Sequence, residues 1–157
     1  MVTQPLDFST SIEIAAPPTA VWALVAEVTR MGEWSPECVR AEWHDGSDRP
    51  AAGALFVGHN RAGTFEWSVP SQVTECVEGS VFAFVAPAEM DPPEQRTTWR
   101  YEFAPSDDGS GCILTESFHA PLLNVEGAAS NFEGRYEMLC AAVEQTLANI
   151  KAAAEHP

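Results

Sequence analysis

The sequence predicts an α+β domain in which one antiparallel sheet grips a single long C-terminal helix. Three observations carry that reading. Asn131 to Glu155 holds Phe132, Tyr136, Leu139, Val143, Leu147 and Ile150 at helical spacing, with Glu133, Glu137, Glu144, Gln145, Asn149 and Lys151 on the other side. Almost everything upstream runs in strand-length apolar or alternating stretches, punctuated by Gly, Pro, Asn and Asp. A sheet and one amphipathic helix can each bury an apolar face only against the other, so the helix lies on the sheet.

The elements follow in order. Phe8 to Ala15 alternates as a first strand, with Ile12 and Ile14 on one side and Glu13 on the other. Pro17-Pro18-Thr19 ends it and opens a short helix, since proline fits the first helical turn. Val21, Trp22, Val25 and Val28 form its buried side, and a second helical turn, Thr29–Trp34, stops at Ser35-Pro36. Val39, Ala41 and Trp43 mark strand two. Ala54–Asn60, Thr64–Val77, Val81–Ala86, Arg96–Phe103 and Cys112–His119 complete a seven-stranded meander, with a bend or bulge expected at Pro70. Asn131 is the expected N-cap of the last helix.

Two turns fix which side chains share a face. Asp108-Gly109 reads as a two-residue type I′ turn, which sets Phe103 opposite Leu114, Tyr101 opposite Glu116 and Trp99 opposite Phe118. Glu116 then sits inside an otherwise apolar face. Ala62-Gly63 read the same way sets Asn60 opposite Phe65, Gly58 opposite Trp67 and Phe56 opposite Val69. A three-residue Arg61–Gly63 loop is the alternative, and it reverses the faces of one strand relative to the other.

A chain of 157 residues forms one domain, 1–157, with its core from about 8 to 154. Eight Lys and Arg against 23 Asp and Glu give a formal charge of −15, a field that repels phosphate backbones and argues against nucleic-acid binding. No stretch approaches the ~20 apolar residues of a membrane span. Met1–Asp7 lacks the basic cluster and apolar run of a signal peptide, so a cytoplasmic location is expected. Cys38, Cys76, Cys112 and Cys140 are widely spaced and read as reduced thiols. His44, His59, His119 and His156 show no ligand spacing, so no metal is expected, and no nucleotide loop points to a cofactor. His119 reads as a surface histidine.

Several segments carry a family likeness. Ile12-Glu13-Ile14-Ala15-Ala16-Pro17, Val21-Trp22-Ala23-Leu24-Val25 and Glu33-Trp34-Ser35-Pro36-Glu37-Cys38 resemble the opening of the START/Bet v 1-like (SRPBCC) superfamily. Gly58-His59-Asn60-Arg61, Trp67, Trp99-Arg100-Tyr101-Glu102, Thr115-Glu116-Ser117, Thr146-Leu147 and Ile150-Lys151 are similar to actinobacterial polyketide cyclase/dehydrase-like proteins within it. The resemblance spans about Phe8 to Ala154. It implies a helix-grip fold: a seven-stranded antiparallel sheet, two short helices after the first strand, and a long C-terminal helix across the concave face. That superfamily includes lipid carriers, cyclases, aromatases, quinone-binding proteins and co-chaperones, and a fold does not choose among them.

Glu116 is the most informative single residue. A carboxylate among aromatics is costly unless it is paired, hydrogen-bonded or protonated. One reading makes it a polar anchor or general acid/base with Tyr101 beside it; the other makes it a structural pair with Arg135, a backbone partner, or an acid at a wet strand edge. Trp34, Asn60, Trp67, Phe82, Phe84, Trp99, Phe118, Arg135, Tyr136 and Leu139 are the further candidate pocket residues. A closed cavity of about 300–1,000 Å³ between helix and sheet is expected, lined by several of Trp67, Phe84, Trp99 and Tyr101. The leading expectation is a monomer or homodimer that binds a small hydrophobic molecule such as a lipid, polyketide or aromatic metabolite. A polyketide cyclase/dehydratase using Glu116 and Tyr101 is the alternative, and a protein-interaction module is the third.

Overall fold

The computed structural model describes residues 4–157. Seven strands form one antiparallel sheet: β1 (Asp7–Ile14), β2 (Cys38–His44), β3 (Leu55–Ala62), β4 (Phe65–Val77), β5 (Val81–Ala86), β6 (Thr97–Pro105) and β7 (Cys112–His119). Their spatial order is β1-β7-β6-β5-β4-β3-β2, so β2 to β7 form a meander and β1 closes onto the far end of it. Helix α1 (Pro18–Ala26) and a 3₁₀ turn (Val28–Glu33) fill the connection from β1 to β2, and the long helix α2 (Arg135–Glu155) ends the chain. This is the α+β, helix-grip architecture that the sequence predicts.

Proline starts α1 as expected: Pro17 is the cap and Pro18 opens the first turn, where a missing N–H removes no helical bond. Val21, Val25 and Ala26 turn inward, while the Trp22 indole N–H donates to the Val81 carbonyl at 3.0 Å. The 3₁₀ turn runs very close to β2. A Cβ on Gly32 would lie 2.3 Å from the Val39 carbonyl oxygen, so only glycine fits there. A register shift between Cys38 and Arg40 leaves Val39 exposed, so the expected run of Val39, Ala41 and Trp43 along one face is broken.

Helix α2 begins three residues later than the sequence suggests. Its cap is Gly134 in the left-handed region (φ 82°), and Asn131 instead donates through its side chain to the Val125 carbonyl. Phe132 therefore lies outside the helix and is largely exposed. The stripe that does bury is Arg135, Leu139, Val143, Thr146, Leu147 and Ile150. At the far end, Glu155 accepts from the Ala15 N–H at 2.8 Å and Lys151 donates to the Glu13 carbonyl at 2.8 Å, tying the helix to β1.

The β6–β7 register is the predicted one, with Tyr101 opposite Glu116 and Trp99 opposite Phe118. The turn that sets it differs. Only Gly109 takes positive φ, whereas a type I′ turn needs it at both central residues. The Ser106 N–H donates to the Gly111 carbonyl, closing a four-residue loop centred on the same point, and the Asp108 carboxylate accepts from the Ser110 N–H and the Ser106 and Ser110 hydroxyls.

The β3–β4 hairpin is shifted by two residues from the expected register. Its loop is Gly63-Thr64, so Asn60 faces Trp67, Gly58 faces Val69 and Phe56 faces Ser71. Gly63 alone is at positive φ (64°), the pattern of a type II′ turn, whose first central position favours glycine. A shift of two preserves the alternation, so the faces remain as expected. The irregularity in β4 falls between Val73 and Glu75, not at Pro70.

Candidate functional site: a buried acid on the gripping face

Strand alternation places the site. Along β7, Cys112, Leu114, Glu116 and Phe118 turn toward α1 and α2 and are buried, while His119 is exposed. Register then extends each of these positions into a row across the inner face. Thr10, Glu116, Tyr101, Phe82 and Cys76 form the middle row. Phe8, Phe118, Trp99, Phe84 and Val73 lie on one side of it, and Ile12, Leu114 and Phe103 on the other. Glu116 is the only carboxylate in these three rows.

It is also deeply buried, at 2% exposure, and its Oε2 has no hydrogen-bond partner. Loss of water pushes the Glu116 pKa up to about 8, and the Tyr101 phenol beside it offsets only part of that rise. Tyr101 is held well above its ordinary pKa by the same burial and by the neighbouring carboxyl. Both groups are therefore neutral at pH 7. Directly opposed residues have Cβ atoms ~4.5–5.5 Å apart, near enough for both side chains to meet one ligand atom.

Arg135 does not pair with Glu116. Its guanidinium makes a two-pronged pair with Glu37, at 2.5 and 2.9 Å, and lies 5.9 Å from the Trp67 ring centre and 5.6 Å from that of Phe132. This cluster joins the start of α2, the lead-in to β2 and the β3–β4 hairpin at one end of the grip. Phe65, stacked on Trp67 at 5.3 Å, remains exposed at its rim.

The remaining predicted residues divide by depth. Trp34, Phe82, Phe84, Phe118 and Leu139 are buried. Trp34, Phe82 and Phe84 belong to the larger apolar cluster, under α1 and the C-terminal half of α2. Phe118 and Leu139 belong to a smaller one, with Leu123 and Val143. Trp99 is half-buried and touches both. Tyr136 packs edge-on against Phe118 and donates its hydroxyl to the Asp7 carbonyl at 3.0 Å. Asn60 and Trp67 are half-buried near the Arg135 cluster, where Asn60 also faces Cys38.

Phe56, Phe82 and Phe84 pack tilted and edge-on at 5.0–6.2 Å between centres, so aromatic rings occupy much of the space beneath the helices. An open depression of about 410 Å³ lies at the β1–β7–β6 end of the sheet, lined by Asp7, Ser9, Thr98, Arg100, Ser117 and His119 together with Phe8 and Phe118 of the inner face. There His119 pairs with Asp7 at 2.6 Å. Sequence reasoning also missed Glu37. Nothing in local spacing could connect it to Arg135, 98 positions away. Thr10 was missed for a similar reason, since only the pairing of first and last strands places it beside Glu116.

Comparison with known proteins adds the family. The chain matches the model of the family described as "Polyketide cyclase / dehydrase and lipid transport" over residues 5–155. Its fold is similar to that of a polyketide-cyclase-like protein from Corynebacterium glutamicum, at 28% identity and TM-score 0.60, covering 99% of this chain and 92% of that one. A Thermus thermophilus protein superposes with TM-score 0.70 at 16% identity, covering 94% and 96% of the two chains. An aromatase/cyclase from Streptomyces sp. R1128 superposes with TM-score 0.66 at 16% identity, covering 95% and 93%. No curated protein matches the chain in sequence. The match to the family model runs almost from end to end, and the chain belongs to the polyketide cyclase/dehydrase and lipid transport family.

Proposed function

We propose that the chain binds a small hydrophobic molecule between the sheet and α2, with Glu116 and Tyr101 as its polar contact. The observation that carries this reading is the unpartnered Oε2 of Glu116, buried between two apolar clusters. A buried polar atom left without a partner costs about 1–3 kcal/mol, a penalty that a ligand oxygen or hydroxyl removes. The family description, which joins cyclases with lipid transport, supports a ligand of this class. Entry goes past the Arg135, Glu37 and Trp67 cluster and displaces aromatic rings that otherwise pack on one another. The test is titration of the purified chain with a fluorescent naphthol. Binding at micromolar concentration with quenching of tryptophan emission is expected. A flat signal across a panel of naphthols, fatty acids and polycyclic aromatics would overturn the reading.

A second reading is favoured by one observation. A carboxyl whose pKa lies near 8 both gives and takes protons efficiently at neutral pH, as acid/base catalysis of enolisation and water loss requires. On this reading the chain is a polyketide cyclase/dehydratase. Glu116→Gln separates the two. A binder keeps most of its affinity, whereas an enzyme keeps affinity and loses turnover by about 10²–10⁴-fold.

A further inference from the structure

We propose that the Glu116–Tyr101 pair selects an uncharged ligand bearing a hydrogen-bond acceptor, such as a ketone or ester oxygen, and rejects carboxylate anions. The inference rests on the ligand-binding reading above and specifies the chemistry of the group that reaches the bottom of the site. One donor points to it. The Tyr101 phenol is engaged with the Glu116 carboxyl, and the other carboxyl oxygen, Oε2, is buried with no partner in the protein. Strand register sets the two side by side on one face, so the phenol orients the carboxyl and the free O–H of neutral Glu116 reaches a ligand acceptor.

The surroundings offer an anion nothing. From β6, Tyr101 faces Glu116; from β1, Thr10, which is uncharged. Among the buried residues of α1, Val21, Val25 and Ala26, none titrates. On α2 the buried ionisable group is Arg135, and Glu37 already occupies both prongs of its guanidinium. Cys38 lies within electrostatic reach of Tyr101, and burial keeps its thiol neutral. Of the eight Lys and Arg residues in the chain only Arg135 is buried, so a ligand carboxylate would enter a site with no free cation, inside a protein of charge −15. The raised pKa of Glu116 fits the same picture, because the donor persists through neutral pH and disappears only above about 8.

Three ligands on one skeleton test this: 2-acetylnaphthalene, which carries an acceptor; 2-ethylnaphthalene, which carries none; and 2-naphthoate, the anion. Equilibrium dialysis against the full chain at pH 7 should show the ketone bound about tenfold more tightly than the hydrocarbon, as one buried hydrogen bond allows. The naphthoate should bind at least ~100-fold more weakly than the ketone. Ketone affinity should fall above pH 8, where the donor ionises, by about tenfold toward that of the hydrocarbon. Glu116→Gln, whose amide N–H₂ donates at every pH, should bind the ketone with no such slope. Tyr101→Phe should keep the slope and lose part of the preference over the hydrocarbon. Naphthoate binding as tightly as the ketone, no preference over 2-ethylnaphthalene, or an equal slope in Glu116→Gln would overturn the proposal while leaving hydrophobic binding intact. Failure of all three ligands to bind would end the binding reading itself and this proposal with it.

Discussion

Burial of Glu116 makes the stability of this protein depend on pH in a definite direction. Its carboxyl titrates near 4.5 when unfolded and near 8 when folded, so between those values the native state holds the extra proton. Stability contributed by the neutral form is fully present below about pH 4.5 and is lost as pH rises through 8. A shift of that size corresponds to roughly 4–5 kcal/mol. Urea unfolding at pH 5, 7 and 9 should show wild-type stability falling across the series, with Glu116→Gln much flatter and the more stable protein at pH 9. A wild-type curve without that fall would mean the carboxyl is solvated. Asp108 acts in the opposite sense: the bonds it accepts hold it near pKa 2, and their contribution is lost only as pH falls from about 3.8 toward 2, outside this window. The Glu116 and Tyr101 pairing was legible in the sequence because one short turn fixes the parity of two long strands, whichever turn type closes it. What could not be read was the absence of a cation, since Arg135 is drawn off by Glu37 from a distant loop.

At the scale of elements, α2 is held chiefly by its buried stripe. Leu139 packs with Phe118, Leu123 and Val143, and Leu139→Ala should cost about 2–5 kcal/mol in unfolding free energy. A value near zero would mean the stripe is not core. The helix start depends on a different contact. Arg135→Ala leaves Glu37 partly buried and without its partner, and breaking such a pair costs up to roughly 3–5 kcal/mol. Double substitution with Glu37→Ala should recover much of that loss, a coupling that thermal melts of the four proteins would reveal. The true start was hidden because Asn131 and Phe132 continue the helical spacing in sequence. Gly134, in a left-handed conformation that disfavours other residues, decides where the helix begins. The two-residue slip in β3–β4 has a similar origin: Ala62-Gly63 and Gly63-Thr64 both offer a glycine, and the II′ geometry selects the second.

For the molecule as a whole, close approaches between elements matter as much as the apolar core. The 3₁₀ turn reaches β2 only because Gly32 lacks a side chain, and its Cβ would strike backbone, which cannot rotate away. Gly32→Ala should therefore destabilise by about 1–3 kcal/mol or more, read as a lower denaturant midpoint. No change would mean that the two segments are free to part. The order of β2 to β7 was legible because five hairpins connect consecutive strands, and hydrophobic alternation marks each; the place of β1 beside β7 was not. The state of the interior was not legible. Counting aromatic side chains gives their volume but not whether they line a space or stack into it.

The pairing of β1 with β7 has a consequence for how the chain is assembled. Ser11 and Thr115, whose hydroxyls meet at 2.7 Å across that seam, are 104 positions apart. Every other neighbouring pair of strands is joined by a local connection and can form as soon as it is made, whereas distant pairings are slower. The expected order is therefore that the meander forms first and the β1–β7 seam closes last, leaving Ile12 and Ile14 uncovered until β7 is made. Pulse-labelled amide exchange during refolding should protect β2 to β6 before β1, and simultaneous protection would contradict that order.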